Sequence, residues 1–218
     1  MVKTRILYVM TSRTDTGVGR VIRFVSGFPY NHVSVTLDSS FESWYSFARY
    51  VQDAPFYSGF IRENAHRFCA GTGDARVRIY AVPVPEKHAA DLEELLPLAN
   101  RTDSGLIYNY FEALACCMGF TLSVPQCYTC LSFASELLGL SCRSIQELCE
   151  TLEPQLIYEG SLVDLLHSQE SPDELYFSRL GLVRGTVKSA GQLGTLLMRT
   201  VYHGCSRYMR NAFRRTIR

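Results

Sequence analysis

The sequence lacks any hydrophobic run long enough to cross a membrane as a helix. No window comes close to the ~18 consecutive apolar residues that such a span requires. The amino-terminal segment, MVKTRILYVM, also lacks the apolar stretch and the small-residue cleavage site of a secretory signal. These absences predict a cytoplasmic protein, which could still lie at the periphery of a membrane.

Acidic residues are absent from the end of the chain. From Leu175 to Arg218 there are nine lysines or arginines and no aspartate or glutamate. The remainder holds the other 13 of the 22 basic residues and all 21 acidic ones, which gives it a net charge of −8. The tail and the body are therefore physically different parts of the molecule.

The tail sequence predicts an amphipathic helix. Its apolar face would carry Leu193, Leu197, Val201, Tyr208 and Phe213, and its arginines would lie elsewhere on the helix. Such a helix can lie on an anionic membrane surface. The alternatives are a solvated tail and a tail docked against the acidic body. Nucleic acid is not an expected partner, because no known nucleic-acid-binding module surrounds the tail.

The segment CYTC, residues 127–130, contains two of the eight cysteines. A zinc site would need a second pair of ligands at suitable spacing, and no further C-x-x-C or H-x-x-x-H occurs. A thioredoxin-like redox pair would follow a strand of a βαβ unit, whereas a proline loop precedes Cys127. We therefore expect neither a metal nor a cofactor, and we interpret most of the cysteines as small buried hydrophobic residues.

Cys130 is the cysteine placed for nucleophilic chemistry. The run CLSFASELLGL has helical spacing, with a buried stripe of Phe133, Ala134, Leu137 and Leu138 and with Gly139 near its end. A thiol attacks as the thiolate, which the unpaired N–H groups of a helix N-terminus and a nearby imidazole both favour. Of the five histidines, only His32 begins a well-formed strand, NHVSVTLD, on the polar side of its alternating pattern. The alternative is that both residues are structural.

The remaining pattern predicts an α+β protein. Strands are expected at residues 5–12, 31–38, 43–51 and 76–84, and a loop at residues 53–64. Helices are expected over the segments beginning near Val18, Glu86, Ser104, Cys130 and Ser144.

Several segments together resemble one family. They are TSRTDTGVGRVIRFVSGFPYNHVSVTLD, YSFARYVQDAPFYSGFIREN, YNYFEALACCMGF, YTCLSFASELL and IYEGSLVDL. Their order over residues 4–166 resembles the circularly permuted papain-like (NlpC-type) cysteine hydrolases, and looks closest to a group of uncharacterised bacterial proteins among them. The resemblance implies a catalytic domain, residues 1–170, with an antiparallel sheet packed against helices. A basic helical extension, residues 171–218, would follow.

The resemblance also implies roles for individual residues. Cys130 would be the nucleophile and His32 the general base, with Ser46 or Glu42 orienting the imidazole. Tyr45 is a further option for that third position or for the substrate pocket. Tyr128 would line the oxyanion site, and the alternative is that it is a structural tyrosine at the edge of the core. The family usually has a small polar residue directly after the cysteine, where this chain has a leucine.

The expected reaction is acyl transfer through a thioester on Cys130. The substrate would be an amide or ester of a peptide-like or lipid-like acyl compound, and the acyl group would pass to water or to another acceptor. The alternative is a non-catalytic binding module that keeps the fold, with the basic tail making the interaction.

Overall fold

The protein is a mixed α+β structure built on one mostly antiparallel sheet. The computed structural model describes residues 3–15, 17–54, 56–70, 72–117, 122–165 and 174–216, without the side chains of 17, 18, 21, 22, 117, 174 and 207–216. The strands are β1 (Thr4–Arg13), β2 (His32–Thr36), β3 (Trp44–Arg49), β4 (Ser58–Glu63), β5 (Arg76–Pro85), β6 (Ile107–Tyr108), β7 (Cys127–Tyr128) and β8 (Leu156–Ser161). The α-helices are α1 (Gly17–Ser26), α2 (Ala65–Phe68), α3 (Glu86–Leu95), α4 (Tyr110–Cys117), α5 (Cys130–Leu138), α6 (Ile145–Leu152), α7 (Glu174–Phe177) and α8 (Leu182–Thr216). Short 3₁₀ helices cover Leu96–Leu98, Glu153–Gln155 and Val163–Leu165.

The strands are arranged in the order β7-β6-β4-β3-β2-β1-β5-β8. Their pairings are antiparallel except for that of β6 with β7. The longest pairing joins β1 to β5, from Thr4 opposite Pro85 to Arg13 opposite Arg76. This order places β2 and β3 near the middle of the sheet, where flanking strands and helices hold their side chains in fixed positions.

Hydrophobic side chains cover both faces of the sheet. On one face, α3, α5 and α6 pack over residues from β1 to β5, and the predicted stripe of α5 faces this core. Its buried members include Val33, Val35, Phe47, Phe60, Phe133, Ala134 and Leu137. The other face carries a second cluster that includes Met10, Trp44, Phe68, Val77 and Ile79. Burial of this apolar surface is the main force that fixes α5 across the sheet.

Strand β4 corrects the sequence interpretation of residues 53–64 as a loop. Residues 58–63 form a strand paired with β3 along its full length. The glycine that suggested a loop is required by packing, because a Cβ on Gly59 would lie 2.2 Å from Tyr50 Oη and 2.6 Å from the carbonyl of Leu106. Here glycine allows a close approach within a strand rather than a turn.

The predicted helix beginning near Ser104 is also shorter than expected. Its first residues form β6, and α4 begins only at Tyr110. The predicted boundary between the domain and the extension, near residue 170, lies outside the described residues.

The basic tail forms the predicted helix as α8. One side of α8 packs on the body, where Leu196 joins Ile107, Val124 and Cys127 in a buried cluster. Among the described residues, no helix is both long enough and apolar enough to span a bilayer.

Candidate active site

A reciprocal pair of hydrogen bonds fixes the start of α5. Thr129 is the N-cap, and its Oγ1 accepts from the backbone N–H of Ser132 at 3.0 Å. Ser132 Oγ in turn accepts from the backbone N–H of Thr129 at 2.9 Å and donates to Glu112 Oε2 at 2.8 Å. This capping box holds the first turn in place. Cys130 is therefore presented as the first residue of a well-defined helix, with only 7% of its surface exposed.

His32 is the first residue of β2 and lies beside Cys130. The two side chains line the same cavity, and Cys130 is among the groups that raise the pKa of His32. They meet at the end of the sheet, where β2 and α5 both begin. His32 Nε2 lies 2.8 Å from Glu63 Oε2 and 3.3 Å from Ser46 Oγ. The structure thus brings the two residues proposed from the sequence as nucleophile and base into one site.

Glu63 is the centre of a buried hydrogen-bond network. Its Oε2 accepts from Ser46 Oγ at 2.6 Å and from Ser34 Oγ at 2.8 Å, in addition to the His32 ring. Its Oε1 lies 3.4 Å from Arg67 Nε, and Glu63 itself is 3% exposed. These contacts satisfy a carboxylate that would otherwise be costly to bury.

The network sets the charges of its two titratable partners. Burial by itself would lower the pKa of His32, but the Glu63 carboxylate and Cys130 outweigh it and raise that pKa to about 10. Burial would raise the pKa of Glu63, but the charges of His32 and Arg67 and the hydrogen bond from Ser46 lower it to about 2. At neutral pH the site therefore holds an imidazolium paired with a carboxylate.

The two residues suggested as orienting groups have different outcomes. Ser46 lies in the network. Glu42 lies at the other end of β2 from His32, because Val35 is opposite Tyr45 in the antiparallel register. Extending that register puts Glu42 beside residue 38, six positions along the strand from His32 and about 20 Å away. The structure therefore does not bring Glu42 to the imidazole.

Glu63 is the site residue that sequence reasoning missed. The sequence did not indicate Glu63, because Pro55 and Gly59 predicted a loop. The position of a loop residue relative to the strand that carries His32 cannot be predicted from its spacing. One signal was present: Glu63 and Arg67 are four apart, which is the spacing of an ion pair on a helix. The structure pairs them as Glu63 ends β4 and Arg67 lies in α2.

The two tyrosines named from the sequence pack among the aromatic residues of the core that also contains Cys130. The Tyr128 ring contacts Phe47 at a centroid distance of 5.1 Å, and its hydroxyl donates to Glu136 at 3.3 Å. Tyr45 stacks on Phe60 at 6.1 Å. Tyr108 lines both cavities that Cys130 borders, and its pKa is raised by burial and then by Cys130.

Two cavities meet at Cys130. One has a volume of about 260 Å³ and a mainly apolar lining, which includes Val25, Phe28, Tyr30, Leu131 and Ile145. The other has a volume of about 310 Å³ and is lined by His32, Glu63, Arg49, Arg67, Tyr110 and Tyr176, among others. Cys130, Asn31, Tyr108 and Ala113 line both. Both linings are mainly apolar, and Cys130 borders both cavities, whereas His32, Glu63 and the two arginines line only the second.

Cys127 has a different environment from Cys130. It is buried against α8, where Arg199 Nη1 lies 3.7 Å from its sulfur. Within the described ranges, no group of three or more His, Cys, Asp or Glu side chains is arranged to hold a metal ion. Of the two cysteines in CYTC, Cys127 therefore packs against α8, whereas Cys130 belongs to the candidate site.

We found no match to this chain among protein-family models, curated proteins or solved structures.

Proposed function

We propose that the protein is a cysteine-dependent acyl hydrolase or acyltransferase, built on the permuted papain-like arrangement in which the histidine strand precedes the cysteine helix. The observation that carries the proposal is the buried hydrogen bond between Glu63 and His32 in the cavity that Cys130 also lines. A carboxylate, an imidazole and a thiol in this order are the parts of a thiol acyl-transfer site.

In this proposal the two ring nitrogens of His32 have different partners. Glu63 and Ser46 occupy Nε2, so Nδ1 is the nitrogen left to face the sulfur. The protonated ring favours a negative charge on Cys130, as does the N-terminus of α5. Glu63 keeps the ring oriented and charged.

The reaction would proceed in two steps. The Cys130 sulfur attacks the carbonyl carbon, and His32 gives its proton to the leaving amine or alcohol as the tetrahedral adduct collapses to a thioester. Water or another acceptor, deprotonated by His32, then attacks the thioester and releases the acid or the transferred acyl product.

The first turn of α5 supplies the oxyanion site in this scheme. The N–H groups of Ser132 and Phe133 bond to Thr129. We therefore assign the developing negative charge on oxygen to the N–H groups of Cys130 and Leu131, which are free of that cap.

The two cavities orient the substrate. An apolar acyl group, lipid-like or from a hydrophobic peptide, fits the 260 Å³ cavity. The leaving group then lies in the cavity that holds His32, the proton donor. Leu131, which replaces the small polar residue usual in the family, adds to the apolar wall.

Site-resolved alkylation tests the proposal. Cys205 is exposed and Cys130 is buried, so without activation Cys205 would react faster with iodoacetamide. We expect Cys130 to react ~10-fold faster than Cys205 at pH 7, as measured by mass spectrometry of the labelled peptides, because thiolate character outweighs access. His32→Ala should remove that advantage.

The control is His88→Ala, because His88 contacts the opposite end of α5 through the carbonyl of Leu137. It should leave the labelling of Cys130 unchanged. A wild-type protein in which Cys130 reacts more slowly than Cys205 would contradict the proposal and favour a non-catalytic binding module.

A further inference from the structure

One side of α8 is committed to the body of the protein. Leu196 is 1% exposed, and Gln192 Oε1 accepts from the backbone N–H of Ser58 at 2.8 Å. Arg199 Nη1 donates to the carbonyl of Gly105 at 2.8 Å, and Lys188 Nζ donates to Tyr57 Oη at 3.1 Å. These contacts span three turns and fix which side of the helix faces outward.

The outward side of α8 is apolar. Val183 is 76% exposed, Met198 75% and Tyr202 76%, and the same side carries further exposed apolar residues, namely Val187, Leu197 and Val201. At 3.6 residues per turn, most of these positions lie opposite Leu196. The stripe from Val183 to Tyr202 runs for about 29 Å along the helix. An exposed apolar stripe of this length on a docked helix marks an interaction surface.

The net positive charge of residues 175–218 indicates the chemistry of the partner that binds the outward side of α8. From Leu175 to Arg218 there are nine basic residues and no acidic one. Pairing with a second copy of α8 would bring two such arrays together, which like-charge repulsion disfavours. The acidic body of the same chain contacts the opposite side of the helix. A surface that is both apolar and anionic can bury the apolar stripe and attract the positive charge of the segment at the same time.

We propose that this side of α8 lies on the surface of an anionic lipid bilayer. The apolar stripe enters the boundary between headgroups and acyl chains, and the net positive charge of the segment attracts the anionic headgroups. The binding follows from the surface of α8 alone and does not depend on catalysis at Cys130.

Vesicle co-sedimentation of the full chain tests this surface. We expect binding to vesicles of phosphatidylcholine mixed with phosphatidylserine, little binding to phosphatidylcholine alone, and weaker binding as salt screens the charges. Val187→Glu and Met198→Glu should each reduce binding ~10-fold, because a carboxylate is placed in the apolar stripe and repels the anionic lipid.

Ile157→Glu is the matched control, because Ile157 is exposed to a similar degree but lies on β8. It should leave binding unchanged. Circular dichroism and the alkylation rate of Cys130 will show that each variant is folded. Equal binding to neutral and anionic vesicles, or no binding to either, would overturn the proposal. So would a dimer in sedimentation velocity that Met198→Glu dissociates, since the stripe would then join two copies.

Discussion

At the residue scale, the site depends on one buried carboxylate. Glu63 takes hydrogen bonds from two serines and the His32 ring on a single oxygen, and contacts Arg67 with the other. Because burial penalises both His32 and Glu63 when charged, each is stable in that form only beside the other. The pair therefore sets both the protonation of the imidazole and the local stability of the sheet.

Removing the Glu63 charge should destabilise the protein in a pH-dependent way. The folded pKa of His32, about 10, lies above its ordinary 6.5, so its stabilisation is complete below about pH 6.5 and is lost as pH rises to 10. The folded pKa of Glu63, about 2, lies below its ordinary 4.5, so its stabilisation is complete above about pH 4.5 and is lost as pH falls to 2. Between about pH 4.5 and pH 6.5, where both contributions are complete, the free energy of unfolding of the wild type should exceed that of Glu63→Gln by the largest amount, about 3 kcal/mol.

Urea unfolding over a pH series measures this difference. Glu94→Gln is the control, because Glu94 is an exposed residue of α3, and its difference from wild type should stay near zero. A Glu63→Gln difference that does not change with pH would mean that the pair does not carry the charges assigned to it.

At the element scale, the placement of the sulfur depends on the N-terminus of α5. The helix has a capping box at Thr129 and Ser132 and ends at Gly139, whose φ of 67° is readily adopted by glycine. Helix α6 has a comparable cap, where Ser144 Oγ accepts from the backbone N–H of Glu147 at 3.0 Å. The two helices thus share one type of cap, but the cap of α5 directly precedes Cys130, whereas the cap of α6 reaches Cys130 only across the cavity that both line.

Substituting the two capping residues separately distinguishes an effect on the free energy of unfolding from an effect on the position of the Cys130 sulfur. Thr129→Ala and Ser144→Ala should both lower the free energy of unfolding by about 1 kcal/mol, because each leaves a helix N–H without its side-chain acceptor. Only Thr129→Ala should also slow the alkylation of Cys130, since it loosens the turn that positions the sulfur. Equal alkylation rates in the two variants would mean that the cap does not position the thiol.

At the scale of the whole molecule, α8 ties the tail to the body next to the site. Gln192 accepts a hydrogen bond from the backbone N–H of Ser58, which lines the cavity containing His32, and Leu196 packs against Cys127, three residues before Cys130. The tail is therefore part of the packed structure.

Adjacent leucines of α8 test this docking. Leu196→Ala should destabilise the protein by about 2–5 kcal/mol, because it empties a buried position. Leu197→Ala should change the free energy of unfolding by less than about 0.5 kcal/mol, because Leu197 is 54% exposed. Urea unfolding of both variants measures the contrast. Similar losses in the two would mean that α8 is not docked by the side that carries Leu196.

The sequence by itself determined the features that depend on local pattern. The alternation of NHVSVTLD predicted β2, and the spacing of CLSFASELLGL predicted α5, its buried stripe and its final glycine. The position of each reactive residue at the start of its element followed from the same patterns. The charge count of the tail also needed no structure, because it is a property of composition.

Only the tertiary structure decided what covers the polar side of β2. The sequence identified that side only as polar, and the structure buries every residue of the strand. Glu63 reaches it from a strand that the sequence presented as a loop, because the need for a glycine at position 59 arises from Tyr50 and Leu106, which are distant in the chain. Likewise, which side of α8 faces the body depends on contacts with β4 and β6. Local periodicity identifies the elements, but contacts between distant segments choose which residues complete a site.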